Sequence, residues 1–462
     1  MANQNCSRAA VLTPYTGGNF GDAAIQDALI ANLRTRLPDL QISGISLNVD
    51  NFLARHGTDA FPLCALKVPF YEMDHPWRPG ESGAADHPTS NRIPSGFGRL
   101  LRGGLRRIPG ARRIGKKLQF YFANLREELT HMIDGYRFLR SQQVLIVSGG
   151  GQFDEEWGGA WGHPYALLKW AILAKFARIP FVIASVGVGK VNSATARFFL
   201  ALTLRLARYR SYREVHSRNV AANWYSGASK DRVVPDLAFS LPPALMPPSS
   251  GIRSLAEGRP IVAVSPIAYA RPGYWPSHDQ ALYDRYRNQM ARVLLQLARR
   301  GYFLVVTWSS AGDDRHVISE ILSCLDEEED RTVRQQMFSP PISSWRELAA
   351  ILEDADFLIA SRLHSMILGF MTKTPTIAIS YDPKTDWVMQ DLSQTDYLLQ
   401  IQNFEADEVL SALDRLSVCH ETVVEQIVCY RDRISPELMS QFNTLAGFLS
   451  RKHQESNHNS HV

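Results

Sequence analysis

The stretch VLTPYTGGNFGDAAIQDALIANLR, Val11 to Arg34, decides the fold. Its first residues close an apolar run, 9–14, that reads as a buried strand. Ile25, Leu29 and Leu33 recur every four residues, so a helix is expected over 22–36. Gly17, Gly18, Asn19, Gly21 and Asp22 fill the turn between them. Glycine permits a tight turn and close approach of a ligand. A helix that starts at once aims unpaired N–H groups and its positive dipole end at that loop, which suits a phosphate or carboxylate. The spacing matches neither the Gly-x-Gly-x-x-Gly fingerprint nor a Gly-Lys-Ser/Thr phosphate loop. Asp22 reads either as the helix N-cap or as a base or hydroxyl ligand.

The strand–turn–helix unit recurs along the chain. Strands are expected over 41–47, over 144–148, ending in Gly149, Gly150 and Gly151, and over 180–186; helices are expected over 165–177 and 194–208. The Pro- and Ser-rich SLPPALMPPSSG, 240–251, reads as a linker. A second series follows, with strands over 260–266, 302–308, 357–360, 375–380 and 397–401. Helices lie between them, over 279–300, 314–325, 344–354, 363–372 and 405–416. Short strands alternating with longer helices imply parallel sheets covered on both faces. The expectation is α/β, with two Rossmann-like doubly wound domains, 1–245 and 252–450, and a polar, disordered tail over 451–462. Ligands of such sheets bind beyond the carboxyl ends of the strands, so the two glycine-rich loops would line one crevice.

Composition narrows the class. The 462 residues are 45% apolar and 21% charged, ordinary for a soluble globular protein. No apolar segment is long enough to span a membrane. The five cysteines, Cys6, Cys64, Cys324, Cys419 and Cys429, are odd in number and lack Cys-x-x-Cys spacing. Neither a disulfide framework nor a zinc site is expected, and a reducing cytoplasm fits. The net charge is +4, yet residues 78–117 hold ten Lys/Arg against two acids, with many Gly and Pro. That insert reads either as a solvated loop or as a footprint for anionic headgroups or an anionic lipid-linked substrate, hence peripheral membrane contact. Nucleic acid is disfavoured, because no aromatics interleave with the charges. The tail histidines read as a solvated end rather than metal ligands.

The densest chemistry lies in ADFLIASRLHSMILGFMTKTPTIAISYDPKT, 355–385. Arg362 offers a fork for carboxylate or phosphate oxygens. His364 can exchange a proton near neutral pH. Both stand where a strand gives way to a helix, and Tyr381, Asp382 and Lys384 end the next strand at the same sheet edge. Upstream, in SYREVHSRN, Arg213 either reaches the interdomain cleft or pairs with Glu214, and His216 reads as an ordinary helix residue. Asp236 is read as structural or cleft-lining. Trp157 and Trp161 either stack on a sugar or pack as a pair, and His163 is an acceptor-side candidate.

Taken in order, Gly-Asn-Phe-Gly-Asp, a strand ending Gly-Gly-Gly, Tyr-Arg-Glu, Pro-Asp before the linker, and Ser-Arg-Leu-His followed by Tyr-Asp-x-Lys resemble the polysaccharide pyruvyl transferase family. The matches run from about residue 13 to 385; the basic insert has no counterpart. The resemblance implies a GT-B-like pair of Rossmann-like domains facing a cleft. It implies transfer of pyruvate from phosphoenolpyruvate to two saccharide hydroxyls as a cyclic ketal; that scheme requires no metal, the sequence has no ligand cluster with metal spacing, and no cofactor is expected. Carried over by motif, Arg213 and Arg362 would grip phosphoenolpyruvate, His364 would act in catalysis, and the glycine loops would face the cleft. The residues suit that chemistry: a small, highly anionic donor needs arginines and helix N-termini. His364 would be the acid, with Asp22 the weaker candidate for the base. The acceptor is a saccharide, with free and lipid-linked forms both open. Two alternatives stand: a nucleotide-sugar glycosyltransferase on the same layout, and a non-catalytic anion- or glycan-binding protein.

Overall fold

The computed structural model describes residues 7–15, 17–65, 111–156, 158–275, 277–310, 312 and 314–458. Its first lobe is built on β1 (Arg8–Thr13), β2 (Gln41–Ser46), β3 (Ala60–Pro62), β4 (Val144–Val147), β5 (Gly150–Phe153), β6 (Phe181–Val188), β7 (Tyr209–Tyr212) and β8 (Arg232–Val233). The sheet runs β3-β2-β1-β4-β6-β7-β8, with β5 beside β6. Every pairing is parallel. Helices cover both faces, so central strands are apolar runs rather than alternating ones: Ala9–Leu12 and Val144–Val147 are wholly buried.

The second lobe holds β9 (Ile261–Ser265), β10 (Phe303–Val306), β11 (Met337–Phe338), β12 (Phe357–Ala360), β13 (Thr376–Ser380) and β14 (Leu398–Gln400). They are parallel, in the order β11-β10-β9-β12-β13-β14. Strand order reverses between β1 and β4 in one lobe and between β9 and β12 in the other. Each reversal opens a crevice beyond the strands' carboxyl ends. The loop after β1 meets the second lobe directly: the Phe20 N–H donates to the Ser309 carbonyl at 2.8 Å, and Asn19 bridges Ser310.

Four details differ from the sequence-based expectation. The first helix begins at Phe20 rather than at 22, because the Asn19 carboxamide accepts the N–H groups of Gly21 and Asp22. Gly150 and Gly151, expected in the loop that ends the 144–148 strand, open a short strand of their own, β5. The last seven residues of the basic insert open the helix Ala111–Arg140, while 78–110 lie outside the described residues. Finally, 451–458, expected to be disordered, continue the helix His420–His458. No Gly or Pro stops it there, and extending an existing helix is far easier than starting one; 459–462 lie outside the described residues. No helix among the described residues is long and apolar enough to cross a membrane.

That last helix carries Pro436 in its interior and returns to the first lobe. Arg36 donates to the Asn443 Oδ1 at 2.7 Å. Gln441, fully buried, donates to the Ser185 hydroxyl at 2.8 Å and accepts from the hydroxyls of Tyr209, at 3.1 Å, and Ser211. Gln441→Leu would strip the Ser185 and Tyr209 hydroxyls of this partner, while Ser211 keeps the Ser185 N–H. It should cost about 2–4 kcal/mol in urea unfolding, on the scale of about 1–3 kcal/mol per stranded buried polar group. An unchanged midpoint would show that the docking is not needed for stability.

Candidate active site

The two lobes meet at His364, which packs against Gly21 and faces Asp236. His364 is the second residue of the helix Leu363–Met371, whose N-cap is Arg362 at the end of β12. Its Nε2 lies 3.6 Å from Asp236 Oδ2. That nitrogen is buried and has no hydrogen-bond partner among the described residues. Asp236 belongs to the first lobe, where it caps the 3-10 turn Leu237–Ser240 by accepting the Ala238 N–H at 3.0 Å. It also receives Arg213 Nη1 at 3.3 Å. Burial pushes its carboxyl up, but the nearby His364 and Arg213, with the Ala238 N–H, outweigh this and hold it at about 2. Asp236 is therefore a fixed negative charge shared by an imidazole from one lobe and a guanidinium from the other.

Arg213 follows β7. Its Nε donates to Glu214 Oε2 at 2.9 Å, so it does pair with Glu214, but buried rather than at the surface. Burial alone would lower its pKa, but Glu214, Asp236 and Asp382 raise it overall. Asp382 lies in the second lobe, so Arg213 feels both. Gly187 makes room for the guanidinium: a Cβ there would lie 2.6 Å from Arg213 Nε.

Arg362 is gripped by Asp314, the first residue of the helix Asp314–Leu322. The fork is bidentate, Nε to Oδ2 at 2.7 Å and Nη2 to Oδ1 at 2.8 Å, and the Asp314 carboxylate is wholly buried. The same carboxylate accepts the Ala268 N–H at 3.1 Å. Bidentate pairing fixes the guanidinium plane. Sequence reasoning missed Asp314. Its signal was an aspartate opening a helix after β10, at the sheet edge that carries Arg362.

Asp22 sits in the first turn of the opposing helix and is not its cap, a role taken by Asn19. Burial raises its carboxyl above the ordinary value; Asp236 adds to this, while His364, Arg213 and Arg362 partly offset it. These four partners place Asp22 among the charges just described. Gly150, at φ 77°, keeps the second glycine loop close: a Cβ there would lie 3.5 Å from Asp22 Oδ1.

Gly21 explains the approach of the lobes. A Cβ built on it would overlap the His364 imidazole. Alanine is the better helix former by roughly 1 kcal/mol, so Gly21→Ala should fold while displacing His364. The expected result is near-complete loss of turnover, with a thermal midpoint lowered by the shift forced on His364. Normal turnover would show that His364 can work from elsewhere.

The other predicted residues fall into two groups. Lys384, in the first turn of the helix Pro383–Asp391, lies 3.4 Å from Asp382 and acts electrostatically on Asp154 of the first lobe. His216 stacks on Trp387 with ring centroids 4.2 Å apart, so it spans the lobes and is more than an ordinary helix residue. His163 sits behind the glycine loop. It is buried, its Nε2–H donates to Gln152 Oε1 at 2.8 Å, and burial pushes it down to about 4. Gln152 in turn donates to the Gly149 carbonyl at 2.8 Å, so neutral His163 supports the loop from inside. Gly18 and Gly151 face open space, and Gly17 faces Asn48 and Asn51. Trp161 is exposed, edge-on to Phe199; Trp157 lies outside the described residues. No cluster of metal-ligating side chains occurs among the described residues.

Comparison with known proteins places this geometry. The family model described as polysaccharide pyruvyl transferase matches residues 19–383. The amylovoran biosynthesis protein AmsJ of Erwinia amylovora is 23% identical over 150 residues, 31% of this chain and 35% of that protein; the match thus spans about a third of that relative. Solved structures share the two-lobed fold at low identity. A glycosyltransferase from Rickettsia africae has TM-score 0.52 and 8% identity, covering 96% of this chain and 99% of its own. A UDP-glucose:anthocyanidin 3-O-glucosyltransferase in complex with UDP has TM-score 0.52 and 12% identity, over 97% and 100%. The UDP-GlcNAc 2-epimerase of Methanocaldococcus jannaschii has TM-score 0.50 and 10% identity, over 88% and 92%. At such identities the likeness concerns fold alone.

Proposed function

The chain belongs to the polysaccharide pyruvyl transferase family, and on that footing we propose that it transfers pyruvate from phosphoenolpyruvate to two hydroxyls of a saccharide, as a cyclic ketal, in exopolysaccharide or cell-surface polysaccharide biosynthesis. One observation carries the reading: Asp22 and Arg213 of the first lobe lie within electrostatic reach of Arg362 and His364 of the second, with Asp236 between Arg213 and His364. Arg362 and Arg213 hold the donor's carboxylate and phosphate, with Lys384 beside them as a further cation. The His364 imidazolium, kept in place by Asp236, delivers a proton to the methylene carbon. Positive charge then develops at the neighbouring carbon as a saccharide hydroxyl adds there. Asp22, whose carboxyl is raised, takes that hydroxyl's proton. A second hydroxyl closes the ring while the carbon–oxygen bond to phosphate breaks; its proton leaves with the phosphate, which the arginines stabilise as it departs. Atoms balance: donor plus diol gives ketal plus inorganic phosphate. The donor implies work in the cytoplasm, on a free or lipid-linked acceptor, with 78–117 available for a membrane surface.

Asp22 supplies a test with a defined sign. A carboxyl whose folded pKa is raised loses stability as pH climbs from the ordinary carboxylate value through the raised one, and the full cost persists above it. Asp22→Asn should therefore raise the thermal midpoint at about pH 8, give no gain below the ordinary range, and lower turnover. A variant less stable than wild type at pH 8 would contradict the raised carboxyl. The donor itself is tested by thermal-shift titration with phosphoenolpyruvate against a panel of nucleotide sugars. Stabilisation by phosphoenolpyruvate, lost in Arg362→Gln, is expected; stabilisation by a nucleotide sugar alone would overturn the reading in favour of a glycosyltransferase.

A further inference from the structure

A second cavity, of about 580 Å³, lies between the lobes and is lined by another side of the first helix. Its walls bring together Arg34 and Arg55 of the first lobe and Arg346 of the second, with Asp27 as the lining carboxylate. Both oxygens of Asp27 are already engaged. Oδ1 accepts Arg55 Nη2 at 2.7 Å, and Oδ2 accepts the Trp345 indole N–H at 2.7 Å. Arg346 approaches Oδ2 only to 3.8 Å, and Arg34 has no carboxylate partner among the described residues. Three guanidinium groups against one carboxylate leave two positive charges uncompensated around a polar hollow. The local field is visible in His56, another wall residue, which burial, aided by Arg55, Arg34 and Arg346, pushes down to about 4 despite Asp27.

Like charges held together in a partly dry site repel, and they persist most readily where a counter-ion joins them. We propose that this cavity is a second anion site that takes a phosphoryl group, best of all a diphosphate, from a ligand other than phosphoenolpyruvate. Planar guanidinium forks suit phosphate oxygens, and two unmatched charges suit a dianion. Because the cations come from both lobes, an occupant ties the lobes together. It also reaches the first glycine loop: Arg55 lies over the Tyr15 ring at 5.0 Å, and the Tyr15 hydroxyl donates to the Gly17 carbonyl at 3.0 Å. The site stands on its own charges and not on the transferase reading.

Calorimetric titration of the full chain with pyrophosphate tests it, with orthophosphate and sulfate as weaker competitors. Wild type should bind pyrophosphate one to one. Arg362→Gln, altered only at the candidate catalytic crevice, should bind it within about twofold. Arg34→Gln/Arg346→Gln, changed at a half-buried and an exposed position, should bind it about a hundredfold more weakly, as expected for two lost charge-assisted contacts. Geranyl diphosphate separates the sources: tighter binding than pyrophosphate assigns the site to a lipid-carried diphosphate, and equal binding to a free one. Absence of pyrophosphate binding, equal binding by the double variant, or loss of binding in Arg362→Gln would each overturn the proposal.

Discussion

His364→Gln should cut phosphate release from phosphoenolpyruvate by about 10²–10⁴-fold, the range for removal of a general acid, while donor binding stays near wild type. Glutamine keeps a donor that can face Asp236 but cannot become a proton source. Asp236 remains ionised at neutral pH, since its carboxyl is held at about 2. Arg213 and Arg362 remain anchored by Glu214, Asp236 and Asp314, so the groups assigned to the donor are untouched. The split between turnover and binding is the informative quantity. A purely structural His364 would lose both together when replaced, and a bystander would lose neither. Turnover within about threefold of wild type would remove the proton-delivery role.

The largest stability effect is expected at Asp314. Its carboxylate is wholly buried, holds Arg362 by two hydrogen bonds and accepts the Ala268 N–H. Removing one partner of a buried pair leaves an uncompensated charge, which typically costs about 3–5 kcal/mol. Asp314→Ala should lose stability of that order in urea unfolding. Asp314→Asn, which still accepts the Ala268 N–H, should lose less. Both should weaken phosphoenolpyruvate binding, because Arg362 loses the clamp that fixes its plane. A wild-type unfolding midpoint in Asp314→Ala would show that water or another group satisfies Arg362.

Legibility followed sequence distance. Both sheets could be read because parallel strands covered on two faces are apolar throughout and end in glycine or polar turns, as Val144–Val147 does before Gly149. Arg362 and His364 could be read because they follow an apolar strand directly. Their partners could not. Asp314 is 48 positions from Arg362, and Asp236 meets His364 only because the two lobes close on each other. The Asp22 ambiguity had a local cause: Asn19 and Asp22 are both capping residue types within one turn, and only geometry shows which oxygen accepts the free N–H groups. His163 looked like an acceptor contact because nothing in the chain signals that Gln152 takes its ring N–H. The end of the last helix was misread from polarity, which marks a solvated segment but does not stop a helix.

The central claim is that both lobes pin phosphoenolpyruvate and pass its pyruvate to a diol. The most direct test incubates the protein with phosphoenolpyruvate and depyruvylated polysaccharide from the producing strain, then follows inorganic phosphate and saccharide mass together. The account predicts one phosphate released per saccharide gain of one pyruvate less one water, with both lost in His364→Gln. Phosphate release without any mass gain, or pyruvylation that persists at the wild-type rate in His364→Gln, would contradict it.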